Sequence, residues 1–319
     1  MYLSSSIIKK ILSAFLALFF ISLLTFILIK LSTVNPAENY LRLSKISVSP
    51  EALKEAEHYL GLDKPLWKQY WLWFQKALTG DFGYSYVLRL PVLDLVLQRF
   101  LATLFLGTSA FLLIVTISTP LGVWAGLHES SRSDYLIRFL SFSSVSMPSF
   151  WVAYLLMLLF SAKLNLLPVS GGNDLQSLIL PSITLSFSTV GQYIALIRKA
   201  ISQENRSLNV ENARLRGVKE RYIVTHHLLR NALPAIMTAL SLTWVYLLTG
   251  SIIVEEIFSW NGFSWNGIGR LFVTSLRTSD LPVIQACMLI FGTLFLANNF
   301  MTQCLMNWVD PRLRKSREK

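Results

Sequence analysis

The chain has 319 residues, 53% of them hydrophobic, with a mean hydropathy of +0.50 and a formal net charge of +11. Repeated uncharged runs of 19 to 29 residues exclude an ordinary soluble domain, because about 20 apolar residues in a helix cross the bilayer core of about 30 Å. The positive charge calls for no nucleic acid, since anionic lipid and the retention of Lys and Arg on the cytoplasmic side account for it.

The runs cover 11–29, 101–127, 139–162, 175–197, 232–254 and 281–309, and none contains Asp, Glu, Lys, Arg or His. They predict an all-α membrane protein with six transmembrane helices. Seventeen of the 29 Lys and Arg residues lie in 1–10, 128–138, 198–231 and 310–319. The short segments 163–174 and 255–280 hold only Lys163, Arg270 and Arg277. Both termini and the basic loops are therefore expected in the cytoplasm. Segment 30–100 is expected outside despite its nine basic residues, since long loops cross largely regardless of charge. The first run follows Lys9 and Lys10 and ends without a small-x-small cleavage site, so it is read as a retained helix rather than a signal peptide.

Within 30–100, Ser49-Pro50-Glu51 has the form of a helix start, with a cap, a first-turn proline and an acid near the positive end. Gly61 stops that helix, and Pro65 opens an aromatic one through Trp67, Tyr70, Trp71, Trp73 and Phe74. Gly80-Asp81-Phe82-Gly83 reads as a turn. These are amphipathic helices suited to the membrane interface, where Trp and Tyr gather. The second run carries Pro120 and Gly122, which lipid tolerates when neighbours satisfy the freed backbone. The third opens with Ser141, Ser143, Ser144, Ser146, Met147 and Pro148. Their hydroxyls serve either helix packing or a water-filled path, and both readings stand.

Segment 198–231 holds eight basic residues between two apolar runs. Val210, Ala213 and Gly217 recur at i, i+3, i+7, which predicts a helix with one narrow stripe of small residues. By pattern alone it is either a solvated loop or a helix for a partner's groove. After the fifth run, Phe258-Ser259-Trp260-Asn261-Gly262 repeats at once as Phe263-Ser264-Trp265-Asn266-Gly267. In the sixth, Gln285, Met288, Gly292, Asn299 and Gln303 fall within about 40° of one helical line, as a helix seam or a permeation path. Cys287 and Cys304, about 25 Å apart on that helix, are too distant for a disulfide.

Enzyme chemistry is not written in the chain. It has no Gly-x-x-x-x-Gly-Lys-Ser/Thr loop, no His-Glu-x-x-His, no paired-Cys metal motif and no Gly-x-Ser-x-Gly. His58, His128, His226 and His227 form no chelating pattern. A self-powered secondary carrier normally keeps ionisable residues inside its spans, and an intramembrane protease needs Asp pairs or His, Glu and Asp there. A receptor or scaffold remains open on physics alone.

Ala213, Arg214 and Gly217, followed by His227-Leu228-Leu229-Arg230-Asn231-Ala232 and Pro234, resemble the cytoplasmic loop of ABC-importer permeases of the peptide/nickel class. That family's loop runs Ala-Arg-x-x-Gly and then His-x-Leu-Arg-Asn-Ala. Gly61-Leu62-Asp63-Lys64-Pro65-Leu66, Gly80-Asp81-Phe82-Gly83, Ser146-Met147-Pro148-Ser149-Phe150, Pro282-Val283-Ile284-Gln285 and Asp310-Pro311-Arg312 carry the resemblance through the chain. The resemblance implies a type I ABC importer permease fold and a coupling helix seated on an ATPase subunit. Val210, Ala213, Arg214, Gly217, Arg230 and Asn231 would serve that coupling. Glu255, Phe258 and Trp260 would form an extracytoplasmic motif, although the family's Trp-Pro-Gly is Trp-Asn-Gly here. Ser146, Met147, Gln285, Met288, Asn299 and Gln303 are the pathway candidates. The implied partners are a second, homologous permease, two ATP-binding subunits, an extracytoplasmic solute-binding protein and membrane lipid. No catalytic residue, metal ligand or cofactor is expected in this chain, ATP being used by the partner subunits. Asn35-Pro36-Ala37 and Tyr40-Leu41-Arg42-Leu43-Ser44 resemble the nickel branch. The expected substrate is therefore nickel or a metal chelate, with dipeptides and oligopeptides as the alternative.

Overall fold

Capping residues and prolines set where the helices begin. The computed structural model describes residues 2–31, 35–168, 175–258 and 267–309. Helix α1 is Tyr2–Lys30. Asn35 caps α2 (Pro36–Leu43) by accepting the Ala37 N–H, and Ser49 caps α3 (Pro50–Tyr59) by accepting that of Ala52, which meets donors left open at helix starts. Helix α4 (Leu66–Leu78) follows Pro65, and α5 (Val92–Leu127) continues through Pro120. Ser131 caps α6 (Arg132–Ser146), and α7 (Ser149–Leu156) passes into a π-helical stretch, Met157–Lys163. Next come α8 (Gln176–Asn205), α9 (Leu208–Leu215) and α10 (Glu220–Tyr222). A second π stretch, Ile223–Leu228, leads into α11 (Leu229–Phe258), before α12 (Ile268–Thr278) and α13 (Leu281–Val309). One isolated β-bridge, Tyr84–Pro91, occurs among the described residues.

Four stretches are long and apolar enough to cross a membrane unbroken: Leu12–Lys30, Val92–Leu127, Gln176–Asn205 and Leu281–Thr302. Two bent pairs bring the number to six when each counts as one span. The pair Glu220–Trp244 and Tyr246–Phe258 bends by 41°, and the pair Arg132–Ser146 and Ser149–Lys163 by 103°. The run 139–162, uniform in its lack of charge, is thus not one helix. Met147 is extended, at φ −88° and ψ 127°, because the ring of Pro148 pushes the preceding residue out of the helical region. On α1, Leu12, Phe20 and Leu24 are 56%, 61% and 59% exposed. Such side chains match hydrocarbon better than water.

Contacts divide the described residues into two units, to both of which α5 and α13 contribute. In the first (Met1–Ala102 with Trp265–Leu296), Val92, Leu95 and Val96 form a buried cluster with Ile268, Leu271 and Cys287. The Tyr70 ring sits against Phe19, Phe26 and Phe74, and its hydroxyl lies 2.8 Å from the Ser22 Oγ. A Cβ on Gly292 would come within 3.0 Å of Ile21 and 3.1 Å of Leu18, so α13 meets α1 closely there. In the second unit (Thr103–Ser264 with Ala297–Lys319), small residues bring helices together. A Cβ at Gly122 or Gly126 would lie 2.7 Å from Ile197 or 2.8 Å from Ile201, and one at Gly191 would strike Ser144 Oγ and, at 2.5 Å, Ser141 O. The spacing Gly122-x-x-x-Gly126 is the small-residue device by which membrane helices approach. Ser141 and Ser144, both buried, serve the α6–α8 crossing.

Candidate functional site

Segment 198–231 runs from the last turns of α8 through α9, α10 and the second π stretch into the start of α11. Ser207 caps α9 by accepting the Val210 N–H, and the Gly217 N–H donates to Arg214 O at 2.9 Å. Gly217 itself has φ +72°, and a Cβ there would meet nothing within 4 Å. Its glycine is required by the left-handed backbone that ends the helix, not by close approach to another surface.

Of the expected stripe only Val210 and Ala213 share a face of α9, and that face is turned inward, while Gly217 lies exposed past the helix end. Val210 is fully buried and Ala213 nearly so, within the cluster that holds Ile201, Ile223 and Leu228. Small apolar side chains at that spacing fill the space under α9 in the chain's own core, so they are not an open face. The outer side presents Leu208 and Leu215, 75% and 80% exposed, among Glu211, Asn212 and Arg216. Arg214 binds both oxygens of Glu220, at 2.5 and 3.2 Å, and donates to Asn205 Oδ1 at 2.6 Å. It joins the end of α8 to α9 and α10. The guanidinium holds the Glu220 carboxyl below its usual range. Asn231 Nδ2 donates to Glu204 Oε2 at 3.0 Å, while Arg230 is exposed.

Sequence reasoning passed over the residues that anchor this loop. Arg198 grips Asp134 with two bonds, Nε to Oδ1 at 2.5 Å and Nη2 to Oδ2 at 2.7 Å. The Asp134 side chain is wholly buried and also accepts the Ser130 N–H at 3.0 Å. Glu129 accepts from Arg206 and, at 2.8 Å, from the Ser202 hydroxyl. Those bonds, Arg206 first, lower its pKa. Two acids in the short basic loop 128–138 were the available signal.

The other candidates scatter. Glu255 lies in the last turn of α11, fully buried, accepting from Thr103 Oγ1 at 2.5 Å and Ser251 Oγ at 3.1 Å. Phe258 is buried in the same unit's core. Trp260 and most of the duplicated Phe-Ser-Trp-Asn-Gly stretch lie outside the described residues. Ser146 is exposed and Met147 half-buried at the α6–α7 break. Gln285 and Gly292 are buried, and Met288 and Asn299 are half-buried. Gln303 lies on α13, its side chain outside the description. Gly292 marks a seam with α1. Gln285 belongs with a cavity in the first unit. Among the described residues no group of three His, Cys, Asp or Glu could hold a metal ion.

Up to six spans with an ordered basic loop between two of them define a multi-pass membrane protein. Residues 118–315 match the family described as "Binding-protein-dependent transport system inner membrane component", and residues 3–107 match its N-terminal companion. The chain belongs to this family of inner-membrane permease subunits of ABC importers, in which ATP hydrolysis is carried by separate subunits. It is 33% identical to the glutathione transport system permease protein GsiC of Escherichia coli (strain K12) over 312 residues, 97% of this chain and 98% of that one. It is 32% identical over 309 residues to the dipeptide transport system permease protein DppB of Lactococcus lactis, with the same coverage. A chain of the inward-facing MetNI methionine ABC transporter shares the fold, with a TM-score of 0.56 at 15% identity over 67% of this chain and 96% of that one.

Proposed function

We propose that this chain forms half of the translocation pathway of an importer for short peptides, glutathione-like tripeptides or dipeptides. The observation that carries the reading is near-complete alignment, at 33% and 32% identity, with permeases named for glutathione and dipeptide transport. Nickel, suggested by Tyr40-Leu41-Arg42-Leu43-Ser44, has no such support and becomes the second reading. The six spans run with both termini in the cytoplasm, 30–100 and 255–280 outside, and 198–231 inside, as the distribution of Lys and Arg supports. The partners are a second homologous permease, two ATP-binding subunits and an extracytoplasmic solute-binding protein. ATP is bound by those subunits, and this chain binds no cofactor. The deciding experiment compares a deletion strain with its parent for uptake of labelled dipeptide, glutathione and ⁶³Ni²⁺. Loss of peptide uptake with unchanged nickel uptake is expected, and the reverse pattern overturns the peptide reading.

Coupling to the ATPase runs through the outer face of α9, with Leu208 and Leu215 as the apolar anchors and Arg214 holding the loop's shape. Gly217→Trp would strain a left-handed backbone and confuse docking with folding. Leu215→Asp tests the contact itself, since Leu215 touches little of its own chain. Losing a central apolar anchor costs about 2 kcal/mol or more, roughly thirtyfold in affinity. The variant should insert normally yet fail to retain the ATPase on purification, whereas Lys219→Ala should retain it. An unaffected Leu215→Asp complex would remove α9 from the interface.

A further inference from the structure

The first unit contains an open cavity of about 720 Å³ between α4, the turn 80–89, the start of α13 and neighbouring loops. Its walls are aromatic, with Tyr40 and Tyr59 stacked at 5.9 Å on one side and Trp73, Phe82 and Tyr86 elsewhere. Three cations border it, Lys64, Lys76 and Arg89, against one carboxylate, Asp81, which lies 4.0 Å from Lys76. Lys64 and Arg89 have no ion-pair partner among the described residues. Trp73 and Gln285 also border the cavity, and the indole N–H of the one and the amide Nε2 of the other, both closed off from solvent, have no hydrogen-bond partner among the described residues. Gln285 is only 3% exposed, so its unmade bond is costly unless a ligand's oxygen completes it.

Arg89 is held in place at some expense. It has φ +56°, a left-handed conformation that non-glycine residues adopt only when their surroundings impose it. The imposing contacts are visible. Asp280 accepts the Ser85 hydroxyl at 2.5 Å and the Tyr86 N–H at 3.0 Å, and the Arg89 N–H donates to Ser85 O at 3.0 Å. The guanidinium then lies 5.4 Å over the Tyr40 ring and donates to Ser44 Oγ at 2.8 Å. A clamped turn thus holds at the rim of an aromatic cavity a cation with no acid partner among the described residues.

We propose that this cavity binds the free C-terminal carboxylate end of a short peptide. Arg89 and Lys64 supply the positive charge, the aromatic walls take the terminal side chain, and the Gln285 amide, once turned toward the cavity it borders, donates to a backbone carbonyl oxygen. The site lies in the first unit and gives the permease its own grip on the solute. The ligand class rests on the peptide reading above, but the test reads binding rather than uptake.

The test uses the complete transporter without its binding protein, in neutral phosphatidylcholine nanodiscs, and measures equilibrium binding of radiolabelled Ala-Ala-Phe. Binding should be saturable. The C-terminal amide of the same peptide should compete about tenfold less well, because a charge-assisted hydrogen bond is lost. Arg89→Asn, which tolerates the left-handed backbone, should weaken binding by a similar factor, while Arg42→Gln, a control outside the cavity, should bind as the parent does. Equal competition by acid and amide, unchanged binding by Arg89→Asn, displacement by inorganic phosphate at equal concentration, or no saturable binding would each overturn the proposal. The amide comparison needs no variant and holds even if Arg89→Asn misfolds. Acid-selective binding in a transporter that imports no peptide would sink the uptake reading alone. Normal peptide uptake without Arg89-dependent binding would sink this one alone.

Discussion

Asp280 in the first unit and Asp134 in the second are both buried carboxylates that tie together segments far apart in the chain, yet they are satisfied in opposite ways. Asp280 receives only neutral donors, the Ser85 hydroxyl and the N–H groups of Tyr86 and Val87. Asp134 receives a two-pronged guanidinium from Arg198, itself only 17% exposed. The difference teaches what each site can survive. Removing a charge from the first leaves neutral dipoles, whereas removing it from the second leaves a largely buried guanidinium with Glu129, 3.7 Å away, in place of its two-pronged partner. The first device therefore sets a turn, and the second fixes the root of the basic loop.

The largest expected effect follows from that asymmetry. Asp134→Asn should cost about 3 kcal/mol, because a largely buried guanidinium loses its two-pronged carboxylate and keeps only the longer contact to Glu129, and should lower the melting temperature of the purified protein. If Asp134→Asn melts with the parent, Arg198 is satisfied elsewhere and the contrast collapses. Asp280→Ala should cost about 2 kcal/mol for the donors left unmade, and Asp280→Asn less, since one acceptor oxygen remains.

Acid and alkali should separate the two kinds of carboxylate further. Burial raises the Asp280 pKa, outweighing the lowering by its hydrogen bonds. A folded carboxyl that keeps its proton to higher pH than the unfolded one contributes most below the unfolded value of 3.8, and that contribution fades as pH rises through the folded value. Glu129, lowered by Arg206, Ser202 and Arg198, behaves oppositely. Its contribution is present above the unfolded value of 4.5 and is lost as pH falls through the folded one. Melting temperature followed against pH should therefore flatten on the rising-pH side for Asp280→Asn and on the acid side for Glu129→Gln. Parallel profiles for the two variants would erase the distinction. The smallest effect belongs to Arg206→Gln, which removes an exposed pair. Any loss it causes should vanish in 1 M salt, where the screening length is about 3 Å.

The bilayer explains why so much of the fold was legible. A hydrocarbon slab imposes length and excludes charge, so the runs at 11–29, 101–127, 175–197 and 281–309 announce long helices in composition alone. What composition does not encode is direction. Val210 and Ala213 share the face that periodicity predicts, without Gly217, but spacing says nothing about whether the chain's own core or a partner receives it. The roles of Gly122, Gly126 and Gly191 depend on their opposite numbers, Ile197, Ile201 and Ser144, which lie far off in the sequence. Asp134 and Glu129 look like ordinary solvated loop acids, because Arg198 and Arg206 stand far away in sequence. The nickel reading turned on eight residues, Asn35 to Ala37 and Tyr40 to Ser44, whereas the relatives aligned over nearly the whole chain are named for glutathione and dipeptide transport.

The break at Met147-Pro148 has a consequence for the lipid itself. Helix α6 has 15 residues, about 22 Å of rise, so it falls short of a hydrocarbon core of about 30 Å. A turn of 103° then leaves the carbonyls ending α6 and the amides starting α7 outside either helix's ladder. Acyl chains offer such groups nothing, and the Ser146 hydroxyl already bonds backward to Phe142 O. Wherever this corner sits, the membrane must be dimpled, wetted or displaced by protein, and the bilayer beside it ceases to be a uniform insulator.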